Sequence, residues 1–145
     1  MRNYLFLLLP ATAMLWSCND SATDDSTETR PPVESEFTIG QAHEGGKVAF
    51  IDNTGAHGLI IAPSDQSSSK KWDDAVKLCD DLTLGDFDDW YLPSKDELAQ
   101  IYAVRDSIGG ISTAAPYWSS SERDEATAYC QSFTGGYQYY DYYIY

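Results

Sequence analysis

The feature that most limits how this chain can fold is a long polar stretch that follows an apolar N-terminus. Residues are apolar almost throughout from Tyr4 to Trp16, whereas Asn19 to Glu36 consists largely of Ser, Thr, Asp and Glu. A stretch of this composition buries too little apolar surface to offset the entropy that is lost on ordering. The hydrophobic core must therefore come from residues 39–145, a length that suits one small domain and not two.

The N-terminal run resembles a secretory signal, because one positive charge, Arg2, precedes a short apolar segment. The segment is shorter than the about 20 apolar residues that span a bilayer. Leu15-Trp16-Ser17-Cys18 resembles a lipobox, although the Trp departs from the usual small residue. We therefore predict a signal peptide over residues 1–17 and acylation of Cys18, where two or more chains anchor a protein stably. The alternatives are an ordinary signal peptide with a chance cysteine and an uncleaved anchor helix.

Residues 18–38 are predicted to form an acidic, flexible tether. Its acidic residues Asp20, Asp24 and Asp25 resemble tags that send lipoproteins to the outer face of some bacterial envelopes, although a solvated linker explains them equally well. We expect a lipid-anchored protein of the bacterial cell envelope, in the outer membrane and exposed at the surface.

The charge of the chain limits its partners. The formal charge is −14, and removal of the signal peptide leaves eight basic and 23 acidic residues, a charge of −15. An acidic surface repels nucleic acids, polyanions and anionic membranes. We expect a carbohydrate or protein ligand on another surface, no nucleic acid, and contact with the membrane only through the lipid anchor.

Two cysteines, Cys79 and Cys130, remain once Cys18 is acylated. In an oxidising compartment, two cysteines in one small domain predict a disulfide. This bridge would join a predicted helix to a predicted strand, and the alternative is two buried thiols. The only histidines are His43 and His57, so no zinc-type spacing exists. The sequence therefore predicts no metal and no cofactor.

The pattern of the N-terminal half of the domain predicts a hairpin and a helix. Two runs rich in β-branched residues, Lys47–Ile51 and Gly58–Ala62, flank the turn-forming segment Asp52–Gly55. A helix follows, with Ser68 or Ser69 as its N-cap. Its apolar positions at helical spacing are Trp72, Ala75, Val76, Cys79 and Leu82.

The C-terminal half predicts a second helix and three strands. Ser94 and Glu97 fit a capping box, and the helix is expected to end near Arg105. Gly135-Gly136 favours a hairpin between the last two strands. The strands are predicted near Tyr117–Ser121, Thr127–Phe133 and Tyr137–Tyr145. Two helices between N- and C-terminal hairpins constitute an α+β fold.

Five segments, in order and spacing, resemble the DUF1566 family, also called the Lcl C-terminal domain. These are Gly45–Ile51, His57-Gly58-Leu59, Trp72–Ala75, Asp89–Leu98 and Tyr117–Glu122. The resemblance covers nearly all of residues 39–140 and implies a C-type-lectin-like fold in exported, often surface-attached proteins that bind ligands or adhere. It also implies that the shared residues are architectural, so no catalytic role is transferred. The core beneath the binding loops would include Trp90, Leu92, Pro93, Trp118 and Ser119.

The chain departs from the family in two respects. Relatives usually continue into a closing strand that contains Val-Arg, whereas this chain stops at Tyr145. We therefore expect either a sheet without that strand or a truncated product. The adhesin after which the family is named is linked to sulfated polysaccharides, and the acidic charge of this chain argues against such a ligand.

The C-terminal segment Tyr137–Tyr145 is the candidate binding surface, because rigid tyrosine rings favour recognition and stack on sugars. Strand alternation divides its side chains into two faces. Tyr140, Tyr142 and Ile144 share one face, and strand propensity alone explains a buried face. The predicted ligand-binding face comprises Tyr137, Tyr139, Asp141, Tyr143 and Tyr145. Diversification of this region, as in variable lectin-like proteins, would suit its composition.

Other candidate sites are weaker. Asp86, Asp88 and Asp89 could gather around calcium, but they lack the pattern of an EF-hand or of calcium-dependent lectins, and a solvated turn is favoured. His57 has no recognisable nucleophile as a partner, so we expect no enzyme activity. The sequence predicts a surface-tethered ligand-binding or adhesion lipoprotein. The alternative is a structural envelope lipoprotein that packs against a partner protein.

Overall fold

The computed structural model describes residues 36–55, 57–67 and 70–142, together with the backbone of residues 6–8. One antiparallel sheet has the strand order β1-β4-β3-β2 and the other has the order β5-β6-β7. The elements in chain order are β1 (Phe6–Leu8), β2 (Ala42–His43), β3 (Gly46–Ile51), β4 (Gly58–Ile61), α1 (Trp72–Asp80), α2 (Lys95–Ile108), β5 (Tyr117–Asp124), β6 (Thr127–Gln131) and β7 (Gln138–Tyr142). The predicted α+β fold is confirmed.

β3 and β4 form the predicted N-terminal hairpin, whose turn is stabilised by Asp52. Ile51 lies opposite Gly58 in the antiparallel register. The Oδ1 atom of Asp52 accepts hydrogen bonds from the backbone nitrogen of Thr54 at 3.0 Å and from its hydroxyl at 2.7 Å. The hydroxyl bond is the main reason why the pKa of Asp52 is lowered.

β1 covers the outer edge of β4, with Leu7 opposite Ile60 in an antiparallel pair. β1 belongs to the segment predicted to be a signal peptide. Cys18 and residues 19–35 of the predicted tether lie outside the described residues. Within the described part of the chain, no helix has the length and apolar character needed to cross a membrane.

α1 starts later than its sequence pattern indicates. Its N-cap is Lys71, which forms no side-chain capping bond. The predicted N-cap at Ser68 or Ser69, both outside the described residues, is therefore wrong. The first residue of the helix, Trp72, is held instead by tertiary structure, since its indole nitrogen donates to the backbone oxygen of Ser119 at 2.7 Å.

α2 begins with the predicted capping box. The backbone nitrogen of Ser94 donates to Glu97 Oε2 at 2.7 Å, and the backbone nitrogen of Glu97 donates to Ser94 Oγ at 3.3 Å. The helix extends beyond the predicted end at Arg105 to Ile108. Lys47 of β3 donates from Nζ to the backbone oxygen of Ile108 at 2.9 Å. A positive charge at the C-terminal end of a helix interacts favourably with the helix dipole.

Aromatic side chains join the C-terminal sheet to the rest of the core. Trp90 is 2 % exposed and Trp118 is 3 % exposed, and both belong to one apolar cluster with residues of β3, β4 and α1. The indole nitrogen of Trp118 donates to the backbone oxygen of Lys70 at 3.1 Å. The residues that the family resemblance places in the core are all buried: Trp90, Leu92, Pro93, Trp118 and Ser119.

The structure contains no disulfide between Cys79 and Cys130, and both thiols are buried. They lie in the same apolar cluster as Trp118 and act as small apolar side chains. The prediction rested on cysteine count and compartment, which do not fix the separation and orientation that a disulfide requires. Burial is the main cause that raises the pKa of each thiol to about 12.

These buried thiols should make the fold less stable at high pH. In the unfolded chain they ionise near 9.0, whereas in the folded chain their pKa is about 12. Their contribution is therefore fully present below pH 9 and is lost between pH 9 and about 12, by up to about 1.4 kcal/mol per pH unit for each thiol. Unfolding in guanidinium at pH 8 and 10 should show a free energy of unfolding that is lower at pH 10 by about 1–3 kcal/mol.

A double variant, Cys79→Ala with Cys130→Ala, provides the control, because it removes the two thiols and keeps the other titrating groups. Its loss of stability between pH 8 and 10 should be clearly smaller than that of the unchanged protein. A disulfide-exchange reagent should label Cys79 and Cys130 only after unfolding. Rapid labelling of the folded protein would contradict the burial of the thiols.

Candidate ligand-binding surface

The candidate site is the outer face of β6 and β7, and the pairing of these strands decides which tyrosines it carries. Tyr139 lies opposite Cys130, and Tyr140 lies opposite Tyr129. Cys130 is 1 % exposed, so Tyr139 shares the inner face and packs against the core. Alternation then turns Tyr140 and Tyr142 outward, where they are 48 % and 59 % exposed. We call Tyr129, Tyr140 and Tyr142 the outer tyrosine face.

The structure divides the described members of the predicted ligand-binding set between half-buried and exposed positions. Of the predicted ligand-binding residues, Tyr139 and Asp141 are half-buried on the inner side of β7. Tyr137 precedes the strand and is 61 % exposed, with its ring centroid 5.9 Å from that of Tyr139. Tyr143 and Tyr145 lie outside the described residues.

The register between β6 and β7 is the physical reason why Tyr139 lies on the inner face and Tyr140 on the outer face. Alternation along the strand was predicted correctly, but alternation does not say which of two tyrosine-rich faces is buried. The small, buried residues Cys130 and Ala128 lie opposite Tyr139 and Asp141. Burial also raises the pKa of Tyr139.

Two cations lie on the outer tyrosine face, and the sequence analysis did not identify them. Lys95, the first residue of α2, holds its Nζ 4.8 Å from the ring centroid of Tyr129. Arg123, near the end of β5, holds its Cζ 3.6 Å from the ring centroid of Tyr140. A cation over an exposed aromatic ring contributes about 0.5–1 kcal/mol. The sequence feature that could have identified Arg123 is its position as the one basic residue in the otherwise acidic segment 122–125.

The start of α2 is held against the same sheet by hydrogen bonds. The side-chain amide of Gln138, the first residue of β7, donates to the backbone oxygen of Lys95 at 2.5 Å. The backbone nitrogen of Lys95 donates to Ser121 Oγ at 3.1 Å. The position of Lys95 over Tyr129 is therefore fixed from both edge strands of the sheet.

A cleft of about 280 Å³ lies at the other end of α2. Arg105 is stacked on Tyr102, with its Cζ 4.0 Å from the ring centroid, and its Nη2 lies 3.7 Å from a carboxylate oxygen of Asp106. The cation of this cleft is therefore already partnered within the protein. The lining residues are Arg105, Asp106, Gly109, Gly110, Ile111, Thr113 and Phe133.

The other candidate residues from the sequence do not come together in one site among the described residues. Asp86, Asp88 and Asp89 are exposed around the turn in which Leu84 pairs with Phe87. Within residues 36–55, 57–67 and 70–142, no three His, Cys, Asp or Glu side chains are grouped to hold a metal ion. His57 is exposed in the hairpin turn.

The fold and the surface define a small α+β domain that carries exposed aromatic rings and cations on the outer face of its C-terminal sheet. The family can be stated as well. Residues 10–144 match the Lcl C-terminal domain, and the chain belongs to this family. This match confirms the resemblance found in the sequence. No curated protein matches the chain.

Replacement of a tyrosine by alanine should change the free energy of unfolding by different amounts on the two faces of β7. Tyr139→Ala removes a ring that packs against the core and should lower the free energy of unfolding by about 2 kcal/mol. Tyr142→Ala removes a ring that is 59 % exposed and should change it by less than about 0.5 kcal/mol. Guanidinium unfolding of both variants measures the difference. Equal losses of the free energy of unfolding in the two variants would show that this register between β6 and β7 is wrong.

Proposed function

We propose that this protein is a lipid-anchored envelope protein whose domain binds a carbohydrate or a protein on another surface through its outer tyrosine face. The observation that supports the proposal most is the exposure of Tyr140 and Tyr142, at 48 % and 59 %, on a regular strand. Rings held by a strand lose little conformational entropy when a ligand binds. Their flat apolar faces fit the apolar faces of sugars and the aliphatic parts of peptides.

The remainder of the chain supports presentation away from a membrane. Cys18 in its lipobox-like context is the proposed acylation site, and the acidic stretch that follows is the proposed tether. A flexible chain of about 20 residues has a root-mean-square length of about 25 Å, which keeps the acidic domain clear of anionic lipid. The proposed location is the bacterial envelope, in the outer membrane and facing outward.

Family membership supports a binding role only in a general way. The resemblance implies a C-type-lectin-like fold, and we extend that interpretation to this domain. The formal charge of −14 favours neutral ligands or ligands with a small local charge, and it disfavours polyanions.

The binding proposal is tested by a glycan array and by affinity capture with the full chain. A double variant, Tyr140→Ala with Tyr142→Ala, should lose binding by tenfold or more, since each stacked ring contributes about 1 kcal/mol or more. Phe50→Ala is the matched control, because Phe50 is an aromatic residue of the other sheet that is 37 % exposed. Its binding should be unchanged.

The outcomes of this experiment separate the proposed roles. Signal on glycans that depends on Tyr140 and Tyr142 supports a lectin role. Stable capture of one envelope protein, with no signal on glycans, favours the structural role. A folded protein that binds neither a glycan nor a protein would show that the proposal is wrong.

The anchoring proposal has its own test. Bacteria that express the full chain and are fed radiolabelled palmitate should incorporate label into the unchanged protein, and Cys18→Ser should abolish that label. Cys79→Ser is the matched control, because Cys79 is buried in the domain and should not alter labelling. Equal labelling of the Cys18→Ser variant would exclude acylation at Cys18.

A further inference from the structure

The outer tyrosine face carries two cations, each over a different tyrosine ring. Tyr129 and Tyr140 are opposite each other on β6 and β7, so their Cβ atoms lie about 5 Å apart. Lys95 stands over the first ring at 4.8 Å, and Arg123 stands over the second at 3.6 Å. Each of two neighbouring rings on adjacent strands therefore has a cation over it.

Within the described part of the chain, no ion pair holds either of these two cations, which is unusual in such an acidic chain. Among the described residues, the ion pairs are His43–Glu44, Lys77–Asp81 and Arg105–Asp106. Neither Lys95 nor Arg123 belongs to one of these pairs, although the chain has 23 acidic residues and nine basic ones.

Arg123 lies between the acidic residues Glu122 and Asp124. The pKa of Asp124 is lowered mainly by a side-chain hydrogen bond with Thr127, and the charge of Arg123 contributes to this shift. Asp124 Oδ1 accepts a hydrogen bond from the backbone nitrogen of Ala126 at 3.0 Å, at the turn between β5 and β6. A guanidinium that stacks on a ring through its face keeps its N–H groups at its edge, where they can donate in plane. Arg123 carries such a planar fork of N–H donors, with its Cζ 3.6 Å from the Tyr140 ring centroid, and a carboxylate matches a guanidinium fork with two parallel bonds.

We propose that the outer tyrosine face binds a carboxylate-bearing sugar. This inference rests on the proposed function and names its ligand class. Arg123 donates to the carboxylate, while Tyr140 and Tyr142 contact the apolar face of the sugar ring. Lys95 supplies a second positive charge over Tyr129.

The number of cations on the outer tyrosine face limits the negative charge that a ligand can carry. Two local cations attract one carboxylate at short range, where the Coulomb interaction is strong. At distances beyond about 10 Å, salt screens individual charges, and a net charge of −14 disfavours long polyanions. A short acidic oligosaccharide therefore fits better than an extended sulfated polymer.

The test measures the affinity of the full chain for a panel of immobilised oligosaccharides that contain uronic or nonulosonic acids. Each acid is compared with its methyl ester, which keeps the sugar and removes the charge. At least one acid should bind, and its ester should bind about 10–100-fold more weakly, as expected for the loss of a charge-assisted contact. Arg123→Gln should reduce binding of the acid to a similar extent and should leave binding of the ester unchanged.

Matched variants control for charge and for ring stacking. Arg105→Gln removes an arginine that is also stacked on a tyrosine but is paired with Asp106, so it should not alter binding. Lys95→Gln should weaken binding of the acid, whereas Lys77→Gln, which removes a lysine paired with Asp81 on α1, should not. Unfolding curves of all four variants confirm that each one is folded.

Several results would overturn the inference. These are equal binding of acids and esters, an Arg123→Gln variant that binds normally, and equal competition by an acidic peptide of the same charge. A neutral glycan whose binding depends on Tyr140 and Tyr142 but not on Arg123 would overturn the acidic ligand alone and leave the proposed function intact. If no panel member binds, the acidic-sugar inference is wrong.

Discussion

The packing of the C-terminal sheet against the core is the constraint on which the candidate site depends. Trp118 and Cys130 lie opposite each other on β5 and β6, and both are buried in the cluster that includes α1 and the N-terminal sheet. Their burial fixes the inner face of β6 and, through strand pairing, the inner face of β7. Because a shift of one residue reverses every side chain of a strand, this contact decides that Tyr140 faces water and Tyr139 does not.

The same packing assembles the cations. β5 is joined to the start of α2 by the bond from the backbone nitrogen of Ser120 to the backbone oxygen of Pro93 at 2.8 Å. This bond places Lys95 beside the sheet, and the strand itself delivers Arg123 to the ring of Tyr140. The site is therefore built from regular elements with short links, and rigid elements hold a binding surface more accurately than long loops do.

The pairing of β1 with β4 bears on the proposed export. In the structure, residues 6–8 cover the outer edge of the N-terminal sheet. If the leader is removed as proposed, this edge of β4 loses its partner strand, although β3 continues to pair with its other edge. Exposed sheet edges favour pairing with further chains, so removal of the leader would also alter the association properties of the domain.

Local chemistry in the sequence determined the α+β fold, the β3–β4 hairpin at Asp52 and the start of α2 at Ser94, because turns and capping boxes need only residues close in sequence. It also determined that the tyrosines of β7 alternate between two faces. Tertiary structure decided which face is exposed, where α1 begins, that Cys79 and Cys130 remain thiols, and that Lys95 and Arg123 meet Tyr129 and Tyr140. These outcomes depend on strand register and on contacts between residues distant in sequence, which local patterns do not encode.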